Sequence, residues 1–422
     1  MRRNLRRLLP VLMGGGDGRE ELPDEAFSFL PFGIWDDEDG TFSIGKWDIS
    51  AQVPRTGGTY YVSKTGNDTT GDGSENAPWL TLVKANTALA GVANACVVIG
   101  EGRYGFGDGS LSNNINRSYI GDGDVIKDGY VMGAAWELTL GQTNTYQSTG
   151  FAANCGNVFD YGTLDVNGDP TPYTLKTSIA EVEAAEGSFW YNGGSVDILY
   201  VHALGHGSPD ADVRPQYIGA TLSTIVVDNV NMYIENIKSY QATLLVSNAS
   251  AANTGKIYVK GCKFMLNALI QNNGYTMILQ NCQNAHGTGP TTDLFIAQTS
   301  YTIASKTALI DCTYWDVGQV GGTSNNCYSH HAGISVIING DYSNTYGPCI
   351  ANIQGGYSWL LGVNAHHSLS ASNNYSFFFQ NAGAWMDRCI SSSSIKDVGG
   401  GETVYTRDCT LPATSDATLI EY

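Results

Sequence analysis

The chain has 422 residues, with 51 Gly and 24 Tyr but only 15% charged residues, and its formal net charge is −18. This length allows two or three domains or one elongated solenoid, and the composition is typical of an all-β chain with many turns. The negative charge argues against a basic face for nucleic acid. No apolar run reaches the roughly 20 residues that span a bilayer. We therefore expect no nucleic-acid partner and no membrane span.

The nine cysteines are an odd number and show neither a CxxC pair nor a metal-ligand spacing. We interpret them as buried thiols of a reducing compartment rather than as a disulfide framework. The sequence predicts neither a bound metal nor a cofactor.

Residues 1–56 form a predicted N-terminal arm. Basic residues and a glycine hinge are followed by aromatic and apolar residues with neither helix nor strand periodicity. Because such a segment cannot build its own core, we interpret it as an anchor peptide held by a partner protein, with a disordered tail as the alternative. The predicted anchor residues are Arg2, Arg3, Arg6, Arg7, Phe32, Trp35 and Trp47.

The start of the arm, "MRRNLRRLLPVLMGGGDGREE", also imitates a secretory signal peptide. Its apolar run, "LLPVLM", is about half the usual 7–15 residues, contains Pro and is followed by glycines and charges. A cleaved signal is therefore the less favoured interpretation.

Residues 57–105 predict a strand, a polar turn, a short helix and a second strand. Asn76 is expected to cap a helix near residues 78–90, and "CVVIG" is expected to be a buried strand. The "DTTGDG" turn partly matches a calcium loop, but Thr70 and Trp79 occupy positions that need ligands, which favours a tight Asp/Gly turn.

This region resembles the opening of right-handed parallel β-helix proteins of the pectate-lyase-like superfamily, including phage tailspikes. The resemblance rests on "YYVS", "GND", a Gly-rich turn, Pro78-Trp79 with Thr81, Lys84-Ala85 and "GEGRY". Residues 187–215 resemble a segment that many members carry before their main rungs. The matching stretches specify the fold and say almost nothing about activity, because the superfamily contains lyases, hydrolases, epimerases and tailspikes.

The resemblance implies an all-β chain that forms a right-handed single-stranded parallel β-helix, with a short N-terminal capping helix and an extended N-terminal arm. We expect three regions. They are the arm (1–56), the start of the β-helix with the capping helix and inserted strands (57–225), and the main rungs (226–422).

A frame recurs from residue 226: apolar, any residue, Asn/Asp/Gly, a small inward residue, polar. Self-similarity at 20 to 30 residues predicts a solenoid. Its turns lie about 4.8 Å apart, so equivalent positions stack into ladders. The predicted inward positions are Ile237, Cys262, Cys282, Cys312, Asp341, Ala365, Cys389 and Cys409.

The ladders predict ion pairs between adjacent turns. Two residues before the inward position, Glu235 precedes Lys260 by one turn. A cluster of alternating charges is expected on the last two turns, where it would stabilise neighbouring strands. Its members are Asp387, Arg388, Arg407 and Asp408. We interpret this cluster as structure rather than as a catalytic site.

Catalytic residues are not evident in the sequence. Glycoside hydrolysis needs paired carboxylates, and spacing singles out no pair among Asp293, Asp311, Asp316, Asp341, Asp387 and Asp397. The histidines at 286, 330, 331, 366 and 367 lack metal-ligand spacing and are interpreted as surface residues on loops. The catalytic candidates are Asp311, Asp387, His366 and His367.

Aromatic residues between residues 301 and 385 lie among Asn, Ser and Gly, a composition that suits stacking on sugar rings. Subunit contact or ordinary packing is an equally good interpretation. The predicted carbohydrate-binding residues are Tyr314, Trp315, Tyr342, Tyr357 and Trp359.

Two functions compete. The favoured one is a virion structural protein similar to a phage tailspike or tail fibre: a homotrimer on the particle surface, attached to other virion proteins through residues 1–56, that binds host surface polysaccharide. The sequence leaves open whether it also degrades that glycan. The alternative is a secreted polysaccharide lyase or glycoside hydrolase of the same fold, and a bacterial surface adhesin is a third possibility.

Overall fold

The structure is a computed structural model. It describes residues 3–4, 25–37, 41–111, 114–129, 135–149, 155–164, 168–193, 197–217, 221–225, 228–240, 242–247, 250, 252–266, 268–287, 293–298, 304–317, 326–368, 375–397, 403–412 and 418–421.

The helices are short. They are α1 (Glu25–Ser28), α2 (Leu82–Ala88) and α3 (Ile179–Glu183), with 3₁₀ turns at Ile49–Ala51 and Phe106–Asp108. Helix α2 caps the first turn, as expected, but its N-cap is Thr81 and not Asn76: the Thr81 hydroxyl accepts the Lys84 N–H at 3.1 Å. Asp68, in the Asp/Gly turn, holds this cap by accepting from the Thr81 N–H and hydroxyl. None of these described helices is long and apolar enough to cross a membrane.

Strands make up most of the described chain. The arm contains β1 (Arg3–Asn4), β2 (Ile34–Asp36) and β3 (Phe42–Ile44). The opening turns contain β4 (Thr59–Val62), β5 (Ala95–Tyr104) and β6 (Arg117–Asp128). An insertion follows, with β7 (Glu137–Leu138), β8 (Tyr146–Thr149), β9 (Cys155–Leu164), β10 (Pro170–Pro172), β11 (Thr174–Leu175), β12 (Ser188–Gly193), β13 (Asp197–His202) and β14 (Val213–Tyr217).

The remaining strands build the rungs of the solenoid. They are β15 (Thr221–Ile225), β16 (Asn231–Tyr240), β17 (Thr243–Ser247), β18 (Lys256–Lys260), β19 (Lys263–Met265), β20 (Ile270–Asn273), β21 (Thr276–Gln280), β22 (Gln283–Gly287), β23 (Phe295–Gln298), β24 (Ser305–Ile310), β25 (Thr313–Val317), β26 (Tyr328–His331), β27 (Gly333–Ile338), β28 (Asp341–Thr345), β29 (Ile350–Ile353), β30 (Tyr357–Leu361), β31 (Asn364–Ser368), β32 (Tyr375–Gln380), β33 (Gly383–Asp387), β34 (Ile390–Ser391), β35 (Ser394–Asp397), β36 (Thr403–Arg407) and β37 (Thr418–Glu421).

These rungs stack into three parallel faces, which we call the shaft. The first face runs β4, β5, β6, β16, β18, β21, β24, β27, β30, β33, β36, β37. The second contains the C-terminal halves of β5, β6 and β16, then β19, β22, β25, β28, β31, β34. The third runs β15, β17, β20, β23, β26, β29, β32, β35. The predicted all-β parallel β-helix is confirmed.

A left-handed residue forms the corner between the first and second faces in each rung. Asn, Asp and Gly dominate there because they tolerate positive φ. The corner positions are Asn236, Gly261, Asn281, Asp311, Asn339, Gly362, Arg388 and Asp408. The next residue points inward, so the inward positions of two rungs are Gly340 and Val363; the register predicted through Asp341 and Ala365 is wrong. A Cβ on Gly340 would lie 2.3 Å from Tyr342, whose ring fills this part of the core.

The shaft interior is a continuous apolar core that includes the predicted column of cysteines at 262, 282, 312 and 389. All nine cysteines are free thiols, and eight are buried. Cys is small and tolerates burial, which suits a repeated inward position.

The insertion leaves the shaft after β6 and returns at β15, which pairs in parallel with β17. Its strands form two small sheets, β11-β12-β13-β8-β7 and β10-β9-β14. Phe159 and Tyr161 of β9 pack on the second face against Tyr240 and Met265. The insertion therefore stands directly against the shaft.

The described part of the arm after residue 25 packs on the first face of its own shaft, so this part does not need a partner protein to hold it. Phe27 lies against Trp359, with ring centroids 3.6 Å apart, and Trp47 lies near Tyr258. The buried apolar residues of the arm are Phe27, Leu30, Phe32, Ile34, Phe42, Ile49 and Val53. Of the predicted anchor residues, Phe32 is buried here and Trp47 packs on the same cluster. Trp35 is partly buried in β2, and Arg2, Arg6, Arg7 and the Arg3 side chain lie outside the described residues.

Candidate functional site

A cleft of about 280 Å³ opens on the outer side of the third face, across β26, β29 and β32. Ser329, Ala351 and Phe378 are lateral neighbours on these three strands. The cleft forms above Ala351, because its side chain is smaller than those that line the cleft from the two neighbouring strands. The lining residues are Asp293, Asn326, Ser329, His331, Pro348, Ala351, Ile353, Tyr375, Phe378 and Gln380.

Asp293 is the acidic group of this cleft. Its Oδ1 accepts hydrogen bonds from the backbone N–H and the side-chain amide of Asn326, both at 3.0 Å. Burial raises the pKa of Asp293 to about 6, and hydrogen bonds from Asn326 and from the Ser329 hydroxyl oppose the shift only in part. A carboxyl group with such a pKa exchanges a proton near neutral pH, as a general acid or base must.

Ser329 and His331 stand two residues apart on β26 and therefore share its outer side. The Ser329 Oγ lies 2.7 Å from the His331 Nε2. Burial lowers the pKa of His331, so the imidazole is neutral at neutral pH. The cleft thus contains a hydroxyl–imidazole pair beside a protonatable carboxyl group.

The rim of the cleft carries partly exposed aromatic rings and an amide. Tyr375, Phe378 and Gln380 are all partly exposed on β32. The Lys396 ammonium lies 5.4 Å from the centre of the Tyr375 ring. Apolar rings beside convergent hydrogen-bonding groups are typical of small-molecule and sugar sites.

Asp293 is the only carboxylate among the described residues that line this cleft. Glycosidases place a second carboxylate about 5–9.5 Å from the first. The arrangement therefore supports binding and proton transfer better than two-carboxylate hydrolysis.

A second cluster of charged groups lies where the insertion meets the second face. Asp169, fully buried, accepts from Lys263 at 2.5 Å. His286 lies between Asp169 (3.7 Å) and Asp316 (3.4 Å). Burial alone would raise the pKa of Asp169, but hydrogen bonds from His286 and Lys263 outweigh it and the pKa is lowered. These contacts tie the insertion to the shaft, and His286 is a buried strand residue rather than a surface loop residue.

Three of the five predicted carbohydrate-binding aromatics are not accessible. Tyr314 and Tyr342 are buried in the shaft core. Trp359 is covered by Phe27 of the arm. A buried ring cannot stack on a sugar, so these three assignments are corrected to packing residues. Trp315 is partly exposed, and Tyr357 is 39% exposed on the first face.

The structure does not bring the catalytic candidates together. Asp311 is exposed at a corner, where it accepts from the Asn339 amide at 3.0 Å. His366 lies on the second face, 3.3 Å from Asp341. The His367 side chain lies outside the described residues. Asp311, His366 and Asp387 do not line the cleft.

The predicted charge cluster forms in part. Asp387 is buried and pairs with Arg407 on the next turn, and Glu235 pairs with Lys260 at 3.6 Å, as expected. Arg388, however, forms its ion pair with Asp36 of the arm and not with Asp408. Its Nη2 donates to the Asp36 Oδ2 at 3.0 Å, and its Nη1 donates to the Asp36 Oδ1. Burial raises the pKa of Asp387, and Arg407 opposes the shift. The cluster secures the arm as well as the last turns.

The sequence placed Asp293 among the carboxylates, His331 among the histidines and Tyr375 within the aromatic stretch 301–385, but it singled out none of them and did not point to Ser329. His330, interpreted as a surface residue, is fully buried and hydrogen-bonds Tyr328. The alternation Tyr-Ser-His-His in a strand could have placed Ser329 and His331 together on one side. Their closeness to Asp293 depends on a rung contact that the sequence does not display. Among the described residues, no group of three or more His, Cys, Asp or Glu could hold a metal ion.

Solved structures with a similar fold span most of the chain. One, described as the complex structure of XylC with xylose, aligns with a TM-score of 0.55 and 10% identity, covering 86% of this chain and 70% of that chain. A second, described as a glycoside hydrolase, aligns with a TM-score of 0.53 and 9% identity, covering 86% of this chain and 95% of that chain. No protein-family model matches the sequence, and a search of curated proteins finds no match. At these identities the likeness shows the fold alone: the chain is a right-handed parallel β-helix protein.

Proposed function

We propose that this protein binds a glycan in the third-face cleft. The observation that carries the proposal is the convergence of the Tyr375 and Phe378 rings with Asp293, Ser329, His331 and Gln380 around one space. A sugar presents apolar ring faces and hydroxyl groups, and this lining offers partners for both.

The size and polarity of the cleft favour a sugar over other ligands. At about 280 Å³ it is near the lower end of ligand pockets, which suits one or two sugar units of a longer chain. Half of its lining is polar, which disfavours a purely apolar ligand. The net charge of −18 disfavours a nucleic acid. The names of the two structural neighbours, one with xylose and one a glycoside hydrolase, agree with the proposal.

We further propose that the protein is attached to a virus particle through its arm. The sequence supports it through the basic start of the arm. Because the buried apolar residues of the arm between Phe27 and Val53 pack on the protein's own shaft, we place the proposed particle contact in residues 1–24. Trimer formation stays a prediction from the fold, and a secreted location is the alternative. Co-sedimentation tests the attachment. Virus particles purified from a host that produces them should co-sediment with the tagged full chain and not with a chain that lacks residues 1–24.

Titration calorimetry with a panel of bacterial and plant polysaccharides tests the glycan site. Tyr375→Ala with Gln380→Ala is expected to weaken binding at least about 10-fold, since each lost contact costs about 1 kcal/mol or more. Tyr357→Ala, which alters an exposed ring on another face, should leave binding unchanged. Binding that depends on Tyr357 or Trp315 instead would contradict the cleft assignment. Reducing ends and absorbance of unsaturated uronates report any degradation.

A further inference from the structure

Binding a sugar requires neither a hydroxyl–imidazole pair nor a buried carboxyl group beside it. Yet Ser329 and His331 stand at 2.7 Å in the cleft, within the range of a nucleophile and its general base. Both residues are held by β26, a strand inside a continuous sheet, so their separation is fixed by the fold. Deacylation by a serine uses this pair of groups.

We propose that the cleft removes small acyl groups, such as acetyl, from the glycan that it binds, with Ser329 as nucleophile and His331 as general base. The inference rests on the proposed glycan site and adds a chemical step to it. Acyl esters of sugar hydroxyls are therefore the substrate class.

The reaction needs only the ester and water. The Ser329 Oγ attacks the acyl carbon while its proton passes to the His331 Nε2. The bond from the acyl carbon to the sugar oxygen then breaks, and His331 returns the proton to the leaving sugar hydroxyl. Water, deprotonated by His331, attacks the acyl-serine, which releases the carboxylic acid and regenerates the serine hydroxyl.

The surroundings fit the roles of the two residues. A neutral imidazole can accept a proton, and burial keeps His331 neutral at neutral pH. The amide side chains of Asn326 and Gln380 line the same cleft and are donors of the type that stabilise an oxyanion. Asp293 accepts hydrogen bonds from the backbone and side chain of Asn326, so it positions one of these donors and is not the orienter of His331.

The depth of the nucleophile restricts the acyl group. The Ser329 side chain is only 1% exposed, so an ester must enter the cleft to reach it. A two-carbon acetyl group fits beside Ala351, whereas a long acyl chain would have to displace the Phe378 and Tyr375 side chains. Acetyl esters should therefore react faster than butyryl or longer esters.

The test incubates the full chain with acetylated and chemically deacetylated samples of one polysaccharide that it binds, and measures released acetate. Wild-type protein is expected to release acetate, and Ser329→Ala or His331→Gln to lower the rate at least about 100-fold. Ser343→Ala, a serine on the second face, is the matched control and should retain the rate. Thermal unfolding of each variant reports whether it has folded.

Labelling keeps the inference testable if a variant does not fold. A fluorophosphonate probe on wild-type protein, followed by peptide mass spectrometry, should modify Ser329. Modification of another serine, or no modification together with no acetate release, would overturn the deacylation. If the glycan still binds in that case, the proposed function stands. Acetate release from soluble esters without glycan binding would instead overturn the proposed glycan site.

Discussion

The Asn339 side chain on the shaft hydrogen-bonds both the backbone N–H (3.0 Å) and the backbone carbonyl (2.6 Å) of Phe42, which lies 297 residues earlier in the arm. The two contacts extend the edge of the arm's small sheet onto a corner of the shaft. Together with the Arg388–Asp36 pair, they attach the arm to its own chain.

Replacing Asn339 with Gly should loosen the arm. Gly keeps the left-handed corner at φ 51° but loses both hydrogen bonds to Phe42, at a cost of about 1–3 kcal/mol, together with the bond to Asp311 on the shaft. Hydrogen exchange of residues 25–53 should accelerate, and a protease should cut there first. Asn281→Gly is the matched control, because Asn281 occupies the same corner of another rung with φ 53° and is exposed. Equal effects of the two variants would show that the amide does not hold the arm.

Asp169→Asn should detach the insertion from the second face. The change leaves Lys263 without its buried carboxylate, and removing one partner of a buried pair costs about 3–5 kcal/mol. The pKa of Asp169 is lower in the folded protein than in the unfolded chain. Its contribution to the free energy of unfolding is therefore complete at a pH above the unfolded-state pKa, and it is lost as the pH falls through the folded-state pKa. Limited proteolysis between residues 129 and 220 should show the effect at neutral pH.

Asp124→Asn provides the control for this variant, since Asp124 forms an exposed pair with Lys238 at 2.7 Å. Exposed pairs contribute about 0–1 kcal/mol. An Asp169 variant as resistant to proteolysis as the Asp124 variant would contradict the assigned role of the junction.

Asp293→Asn should stabilise the protein at pH 7.5 and have little effect at pH 4. The pKa of Asp293 is raised from 3.8 to about 6, so the folded state retains a proton that the unfolded chain releases between these values. Stability therefore falls as the pH rises through this window, by about 1–2 kcal/mol after allowance for solvent screening. Thermal unfolding at both pH values measures the difference. Glu75→Gln, an exposed carboxylate, should show none.

His330 should affect the pH dependence of stability in the opposite direction to Asp293, and His330→Gln tests this. Burial lowers the pKa of His330 from 6.5 to about 4. Between pH 4 and pH 6.5 this histidine is therefore protonated in the unfolded chain and neutral in the folded protein. Stability from this group is complete above pH 6.5 and is lost as the pH falls towards 4, by about 3 kcal/mol. Removing the imidazole should flatten the loss of stability between pH 6.5 and 4. An unchanged pH dependence would contradict the burial of a neutral histidine.

The fold could be predicted because the corner residue and the inward residue recur together in the sequence. The predicted register failed where two residues within two positions of each other both tolerate the left-handed corner: Asn339 and Gly340 in one rung, Gly362 and Asn364 in another. The ion pair of Asp387 with Arg407 was predictable because both residues occupy the same column of adjacent turns.

The packing of the arm was not predicted, although a signal for it exists. First-face strands contain runs such as "VII" (336–338) and "WLL" (359–361) that are apolar at successive positions, which is typical of strands covered on both sides. The cleft could not be located, because Asp293 and Ser329 lie on different rungs and loops of unequal length separate them. A small residue on the outer side of a strand, such as Ala351, also does not indicate in the sequence that a cavity lies above it.

The most direct test of the glycan site is a crystal structure of the protein with an oligosaccharide from the polysaccharide that binds best. We expect sugar density in the third-face cleft, over Tyr375 and within hydrogen-bonding distance of Asp293 or Gln380. Sugar density on Trp315, on Tyr357 or at the junction around Asp169, with an empty cleft, would contradict it.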